Sequence, residues 1–267
     1  PKSLKWVETR FMTKQDGEWY GYSYVWNEAG TDATLVDAAG FDREFTIKTA
    51  AGARKQAWHY PSRAECMVCH SRAANFVLGL CEIQMNKDHV YPTGRTDNQL
   101  RVLEHVGLLD VKWASEVGGA VKDPADKQQP DQRQPKPSGM LHTLPANLKR
   151  LADPYDKTQD LAARAKAWLH TNCASCHVEA GGGNAQMKLD HATDWGAMRL
   201  IDVKPLHQTF NLPDAKLIAP GAPASSVVLH RIGQRGPNTG QMPPLSSSVV
   251  DARGLELMTE WCKSLKK

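Results

Sequence analysis

The chain has 267 residues and a formal net charge of +4, with 33 Lys and Arg against 29 Asp and Glu. This length accommodates about two ordinary domains, because single hydrophobic cores seldom extend past ~200 residues. The positive charge is too small and too dispersed to indicate nucleic acid binding. No stretch reaches the ~18 consecutive apolar residues that a membrane-spanning helix requires. The hydrophobic content of 41% is typical of globular proteins.

Residues 1–60 predict a β-rich module. The chain between positions 5 and 60 is rich in Trp, Tyr, Val and Thr, which favour strands. Turn pairs such as Asp16-Gly17 and Ala51-Gly52 interrupt these runs. We expect several short antiparallel strands that pack on the first unit after them or, alternatively, belong to a larger adjoining domain.

The pattern Cys-x-x-Cys-His occurs twice, as Cys66-Met67-Val68-Cys69-His70 and as Cys173-Ala174-Ser175-Cys176-His177. Two thiols three positions apart on one helical turn reach the two vinyl groups of one porphyrin, and the adjacent histidine reaches the iron. A zinc site or a redox dithiol is the alternative, but neither requires a histidine directly after the second cysteine in both copies. We predict two covalent haems, attached through Cys66, Cys69, Cys173 and Cys176, with His70 and His177 as proximal iron ligands.

The stretch after the first motif predicts a short haem unit over residues 61–117. Residues 98–107 indicate a helix ended by a glycine, and the distal ligand of the first iron should lie between the motif and that helix. A methionine that only fills core space is an equal alternative, and the sixth position could be open. The candidate ligands are Met85 first and His89 second, with His59 and His105 as further alternatives.

Residues 118–145 are dense in Pro, Gln, Lys and Asp, a composition that buries little apolar surface. We expect a linker here, followed by a second haem domain over residues 146–267. Two amphipathic helices frame the second motif, one with Thr158 placed as its cap and one with Asp251 as its cap. Two such helices beside a haem are typical of class I cytochrome c. The predicted fold class is therefore α+β, a small N-terminal antiparallel β module followed by two mainly α-helical class I cytochrome c-like units.

A loop before the last helix, Gly240-Gln241-Met242-Pro243-Pro244-Leu245, predicts the distal ligand of the second iron. Its prolines hold the backbone extended, so that Met242 presents a thioether to the open side of the metal. The alternative is that Met242 fills core space.

Two of the six cysteines, Cys81 and Cys262, lie outside the motifs. In an oxidising compartment two leftover cysteines more often pair than stay free, so we expect a disulfide between them. The alternatives are a buried Cys262 thiol on the apolar stripe of the last helix, and Cys81 as a thiolate ligand of the first iron.

Several further segments carry a resemblance to known proteins. They are Glu8-Thr9-Arg10, Tyr24-Val25-Trp26-Asn27, Pro61-Ser62-Arg63-Ala64-Glu65-Cys66, Asn98-Gln99-Leu100, Arg164-Ala165-Lys166-Ala167-Trp168-Leu169 and Pro220-Gly221-Ala222-Pro223-Ala224-Ser225-Ser226. Over nearly its whole length the chain resembles a family of bacterial periplasmic diheme c-type cytochromes, which occur alone or fused behind propeller domains similar to quinoprotein sugar dehydrogenases. The resemblance implies that electrons arrive from a sugar- or alcohol-oxidising dehydrogenase.

The leading functional hypothesis is an electron-transfer module that is not an enzyme by itself. It would pass electrons from a dehydrogenase donor to a cytochrome or oxidase acceptor. The alternative is a diheme enzyme of the peroxidase kind, with an open site at the first haem, because Met242 closes the second. Since haem attachment takes place outside the cytoplasm, we expect a periplasmic or equivalent location.

Overall fold

The computed structural model describes residues 4–50, 52–109, 144–236 and 238–266. The chain forms two compact units. The larger unit joins Pro1–Leu78 to Asp153–Lys267, and the smaller unit is Gly79–Ala152. Both Cys-x-x-Cys-His motifs therefore belong to the larger unit. The predicted linker lies, except for its last two positions, outside the described residues.

The antiparallel strands predicted for the N-terminal module are present. A three-stranded antiparallel sheet has the order β1-β2-β3, and β4 pairs with β5 in a separate hairpin. The β1–β2 turn places Asp16 at φ 48° and Gly17 at φ 87°, the left-handed conformations that a two-residue hairpin turn requires. The strands are β1 (Glu8–Gln15), β2 (Glu18–Trp26), β3 (Ala33–Leu35), β4 (Phe41–Thr49) and β5 (Gly52–Tyr60).

The core of the larger unit forms where two long helices pack together. Apolar residues of both helices are fully buried there, among them Leu169 of the first and Trp261 and Met258 of the second. The described helices of this unit are α1 (Arg63–Cys69), α4 (Leu161–Cys173), α5 (Val227–Ile232) and α6 (Ala252–Ser264). None of the helices in the described part of the chain is long and apolar enough to cross a membrane.

The smaller unit is organised around a buried asparagine. The Asn86 amide donates to the carbonyls of Pro145 at 2.9 Å and Leu148 at 3.1 Å, and it accepts from the Asn98 amide at 2.8 Å. The side-chain oxygen of Asn98 also accepts from the Leu100 amide at 2.9 Å and so caps the helix predicted after it. The elements are α2 (Glu82–Met85), β6 (Asp88–Val90), β7 (Thr96–Asn98), α3 (Gln99–His105) and a 3-10 turn (Pro145–Asn147).

The predicted fold class is wrong, because the described residues do not form two mainly helical cytochrome units. The structure has small antiparallel sheets, and helices hold only 25% of it. Residues 174–226, between α4 and α5, form turns, two isolated bridges and one short 3-10 helix (Pro223–Ser225) in place of α-helices. Positive φ angles at Ala180, Arg199 and Asp202 recur through this stretch and are incompatible with a continuous right-handed helix.

The N-terminus of α4 also differs from the prediction. Asp160, not Thr158, caps the helix, and its carboxylate accepts from the Ala163 amide at 2.8 Å. The Thr158 hydroxyl instead donates to the Asp156 carboxylate at 2.6 Å in the preceding turn. Asp251 caps α6 as predicted.

Candidate functional site

The second motif lies where α4 ends. Cys173 is the last residue of the helix, and the amides of Cys176 and His177 both donate to its carbonyl, at 3.1 and 2.9 Å. The glycine run after the motif folds back over the histidine, since the Gly183 amide donates to the Cys176 carbonyl at 3.0 Å. A Cβ at Gly183 would lie 2.6 Å from His177 Nδ1, so only glycine fits there. His177 is consequently buried.

A cavity of about 460 Å³ opens beside this motif. Its volume falls in the range of cofactor pockets, ~300 to 1,000 Å³. Apolar side chains supply most of its wall, including Met187, Leu189, Phe210, Leu217, Val228 and Ile232. The predicted attachment and ligand residues of the second haem, Cys173, Cys176, His177 and Met242, all line this cavity. The structure therefore brings together residues that are up to 69 positions apart in the sequence (242 − 173).

Hydrogen bonds to α5 hold the Met242 loop. The Met242 amide donates to the Arg231 carbonyl at 3.0 Å, and Arg231 Nε donates to the Gly240 carbonyl at 2.6 Å. Arg235 donates to the Met242 carbonyl at 3.3 Å. The backbone on both sides of the thioether is thus anchored to α5 and to Arg235, which follows that helix.

Charge around the cavity is sparse. Among the described residues that line it, only Arg231 carries a permanent charge. Burial, together with the Arg231 guanidinium, lowers the pKa of His177. Burial raises the pKa of the Cys173 thiol to about 12. His177 is therefore neutral near pH 7, the state in which imidazole binds a metal.

The first motif is held by the N-terminal sheet. Helix α1 begins with a capping box, in which Ser62 and Glu65 each bond the other's backbone amide. The helix crosses β2 at Gly21, where a Cβ would lie 2.7 Å from the Cys66 Cβ. Arg63 lies 5.0 Å from the ring centre of Tyr22 on the same strand. The sheet therefore positions the first pair of cysteines.

A main-chain carbonyl orients the histidine of the first motif. His70 Nδ1 lies 2.6 Å from the Phe76 carbonyl oxygen. Because a carbonyl only accepts, Nδ1 carries the proton and Nε2 retains its lone pair. Metal-bound histidines commonly have this arrangement. Phe76 in turn stacks on Trp19 of β2, with ring centres 5.9 Å apart.

Three of the four candidate distal ligands of the first iron belong to the smaller unit. Met85 packs against its apolar cluster of Leu100 and Leu148, and His89 lies edge-on to Tyr91. His105 is the last residue of α3. All three remain predictions.

The fourth candidate, His59, belongs to the larger unit. Its ring nitrogens contact the Asp42 carboxylate at 2.6 Å and the Glu65 carboxylate at 2.9 Å. With both nitrogens engaged by carboxylates, His59 has no lone pair left for a metal in this arrangement.

The two motifs meet in the larger unit, which sequence reasoning missed. Cys176 Sγ lies 3.5 Å from Cys69 Sγ, and Cys69 lines the same cavity as the second motif. The glycine run at 181–183 was the one sequence signal for this contact, because consecutive glycines permit close approach of two backbones.

The predicted disulfide between Cys81 and Cys262 is absent, and all six cysteines are free of disulfides. Cys262 is fully buried, and its thiol donates to the Ala219 carbonyl at 3.1 Å. This matches the alternative of a buried thiol. Cys81 precedes α2, and its thiol donates to the Gln84 side chain at 3.1 Å.

No family model, curated protein or solved structure matches this chain. In the parts of the chain that the structure describes, no cluster of three or more His, Cys, Asp or Glu could hold a metal ion. A haem supplies four nitrogen ligands of its own and takes only one or two from the protein.

Proposed function

We propose that this protein is a diheme c-type cytochrome that transfers electrons. The observation that carries the proposal is the cavity lined jointly by the second Cys-x-x-Cys-His motif and Met242. A covalently attached c-type haem needs two thiols, an imidazole nitrogen and an apolar pocket, and this cavity offers each of them. The steric fit of Gly183 against His177 supports the same reading.

At the second site, Cys173 and Cys176 would hold the haem through thioether bonds, and His177 and Met242 would bind its iron. The haem, when bound, supplies a centre that gains and loses one electron. The chain excludes water with the apolar cavity wall and keeps the imidazole neutral by burial. The Arg231 guanidinium offers a partner for an anionic propionate.

At the first site, Cys66 and Cys69 would form the thioether bonds. His70 would be the proximal ligand, because the Phe76 carbonyl leaves its Nε2 with a lone pair. Met85 remains the first candidate for the distal ligand. The donor that we propose is a sugar- or alcohol-oxidising dehydrogenase and the acceptor a cytochrome or oxidase, in a periplasmic compartment.

A second candidate function is a diheme peroxidase with an open site at the first haem. It is favoured by the engagement of His59, the one candidate distal ligand in the same unit as His70, with two carboxylates. A six-coordinate low-spin spectrum for both irons supports electron transfer. A high-spin ferric signal from the first iron supports the peroxidase.

Covalent haem content tests the proposal directly. Protein made with a complete c-type maturation system should carry two haems per chain by intact mass and by haem staining after denaturation. Replacing Cys173 and Cys176 together with Ala should leave one haem. The control Cys81→Ser, outside both motifs, should keep two. A mass that corresponds to no haem or one haem in the unmodified chain would refute the proposal.

A further inference from the structure

We infer that the two haems adjoin at their thioether edges, with the linkages through Cys69 and Cys176 in contact. This inference rests on the proposed function, since it requires both haems to be attached. It adds an arrangement in which electrons cross directly from one porphyrin edge to the other.

The contact between the two sulfurs is the first observation. Cys69 Sγ and Cys176 Sγ lie 3.5 Å apart, close to the separation of two heavy atoms in van der Waals contact. Cys176 Sγ also lies 3.8 Å from the Val68 carbonyl oxygen. In the loaded protein each sulfur is bonded to the edge of its own porphyrin, so sulfurs in contact place the two edges side by side.

The backbone on both sides of the contact is closely fitted. A Cβ at Gly182 would lie 2.7 Å from the Val68 carbonyl oxygen, which is closer than real Cβ contacts. The glycine run of the second motif therefore touches the main chain of the first motif with no room for a side chain. On the opposite side, Gly21 of β2 supports Cys66 with the same closeness. Helix α1 is held between the sheet and the glycine run, and this fixes Cys69 against Cys176.

The arrangement has two physical consequences. No aromatic relay is required between the haems, because the covalent linkages themselves are in contact. The charge on one iron also acts on the other at short range, so reduction of one haem should disfavour reduction of its neighbour.

Circular dichroism in the Soret region tests the inference. Two porphyrins at short range couple their transitions and give a band with a positive and a negative lobe, whereas isolated haems give independent bands. We expect this two-lobed band in the diheme protein. It should be lost when either Cys66 and Cys69, or Cys173 and Cys176, are replaced with Ala. The sum of the two single-haem spectra should not reproduce the native spectrum.

Haem content measured on the same samples distinguishes a failure of the proposed function from a failure of the edge contact. Fewer than two haems in the native chain would refute the proposed function. Two haems by mass with a native spectrum equal to the sum of the single-haem spectra would refute the edge contact alone.

A pair of glycine variants tests the edge contact in protein that keeps both haems. Gly182→Ala should push the glycine run from Val68 and reduce the amplitude of the two-lobed band, with two haems retained. Gly196→Ala is the matched control, because nothing lies within 4 Å of a Cβ at that position and neither glycine has a positive φ. The control should leave the amplitude unchanged. Equal amplitudes in both variants would overturn the inference.

Discussion

The two motif histidines are held by different means. His70 is oriented by a hydrogen bond to the Phe76 carbonyl at 2.6 Å, whereas His177 is fixed by burial beneath the glycine run. A hydrogen bond to the second nitrogen makes an imidazole a stronger donor to a metal. Under the proposed function, the two irons would therefore differ in the strength of their proximal ligands.

Replacement of Met242 tests whether this residue binds the iron of the second site. Met242→His should remove the weak sulfur-to-iron band at the red end of the oxidised spectrum. It should also lower the potential of that haem by on the order of 0.1 V or more, since axial ligands span ~0.8 V. Met187→Leu is the control, because Met187 lines the same cavity and should leave both readouts unchanged. An unchanged potential in Met242→His, measured by optical redox titration, would contradict the assignment.

His59 predicts a dependence of stability on pH. Burial would lower its pKa, but hydrogen bonds to Glu65 and Asp42 outweigh burial, and the pKa is raised. A raised folded-state pKa stabilises the protein fully below the unfolded value of ~6.5, and this contribution is lost as pH rises through the folded pKa.

Urea unfolding at about pH 6 and about pH 8 measures this contribution. The wild-type protein should lose more stability across that interval than the His59→Gln variant, which cannot become charged. The difference between the two proteins isolates His59, because the other titratable groups are the same in both. Parallel pH profiles for the two proteins would show that the contacts of His59 with Asp42 and Glu65 contribute nothing to stability.

At the level of elements, one carboxylate joins the two long helices. Asp251 caps α6 by accepting from the Gly254 amide at 2.9 Å, and it also accepts from Trp168 of α4 at 2.9 Å. The Tyr155 hydroxyl donates to the same carboxylate at 2.6 Å. Because these hydrogen bonds favour the charged form despite burial, the pKa of Asp251 is lowered. A single side chain thus fixes both the start of α6 and its packing on α4.

Removal of this carboxylate should be costly. Asp251→Ala should lower the free energy of unfolding by about 2–3 kcal/mol, since it removes a helix cap worth ~1 kcal/mol and leaves the indole N–H of Trp168 without its acceptor. Glu256→Ala on the same helix is the control. Glu256 pairs with Lys157 at 2.7 Å on the exposed surface, where such pairs contribute ~0 to 1 kcal/mol. Equal losses for the two variants in urea unfolding would contradict a special role for Asp251.

Local signals in the sequence predicted local structure well. The Asp16-Gly17 hairpin, the Asp251 cap and the helix over 98–107 each depend on a few neighbouring residues, and all three are present. The prediction of Thr158 as the cap of α4 was wrong, because the Thr158 hydroxyl bonds Asp156 in the preceding turn and the helix starts only after Asp160.

Neither the fold class nor the contact between the two motifs could be predicted from neighbouring residues. A short helix such as α1 has few intrinsic stabilising contacts, and its length depends on what packs against it. The approach of Cys69 to Cys176 joins positions 107 residues apart, and no spacing rule encodes such a contact. The convergence of the second motif and Met242 on one cavity was predictable, because both were expected to bind the same iron.

At the level of the whole molecule, the larger unit is assembled from two separate stretches of chain. Its first stretch ends at Leu78 and its second begins at Asp153. The intervening residues, 79–152, contribute the other unit. Contacts between sheet, first motif and second motif are therefore long-range, and contacts of this kind form late in folding.

Because the larger unit is built from two separate stretches of chain, its two motifs emerge at different times. A chain that emerges from its N-terminus presents β1–β5 and α1 before the second motif exists, because that motif begins just over 100 residues after the end of α1 (173 − 69 = 104). Cys69 then lacks the partner that later covers it, since Cys176 and the glycine run arrive with the second stretch. Under the proposed function, the thiols of the first motif would be accessible to the enzyme that attaches the haem during that interval. Closure of the larger unit would end the interval, so under the proposed function the order of the chain would limit the time available for haem attachment at the first motif.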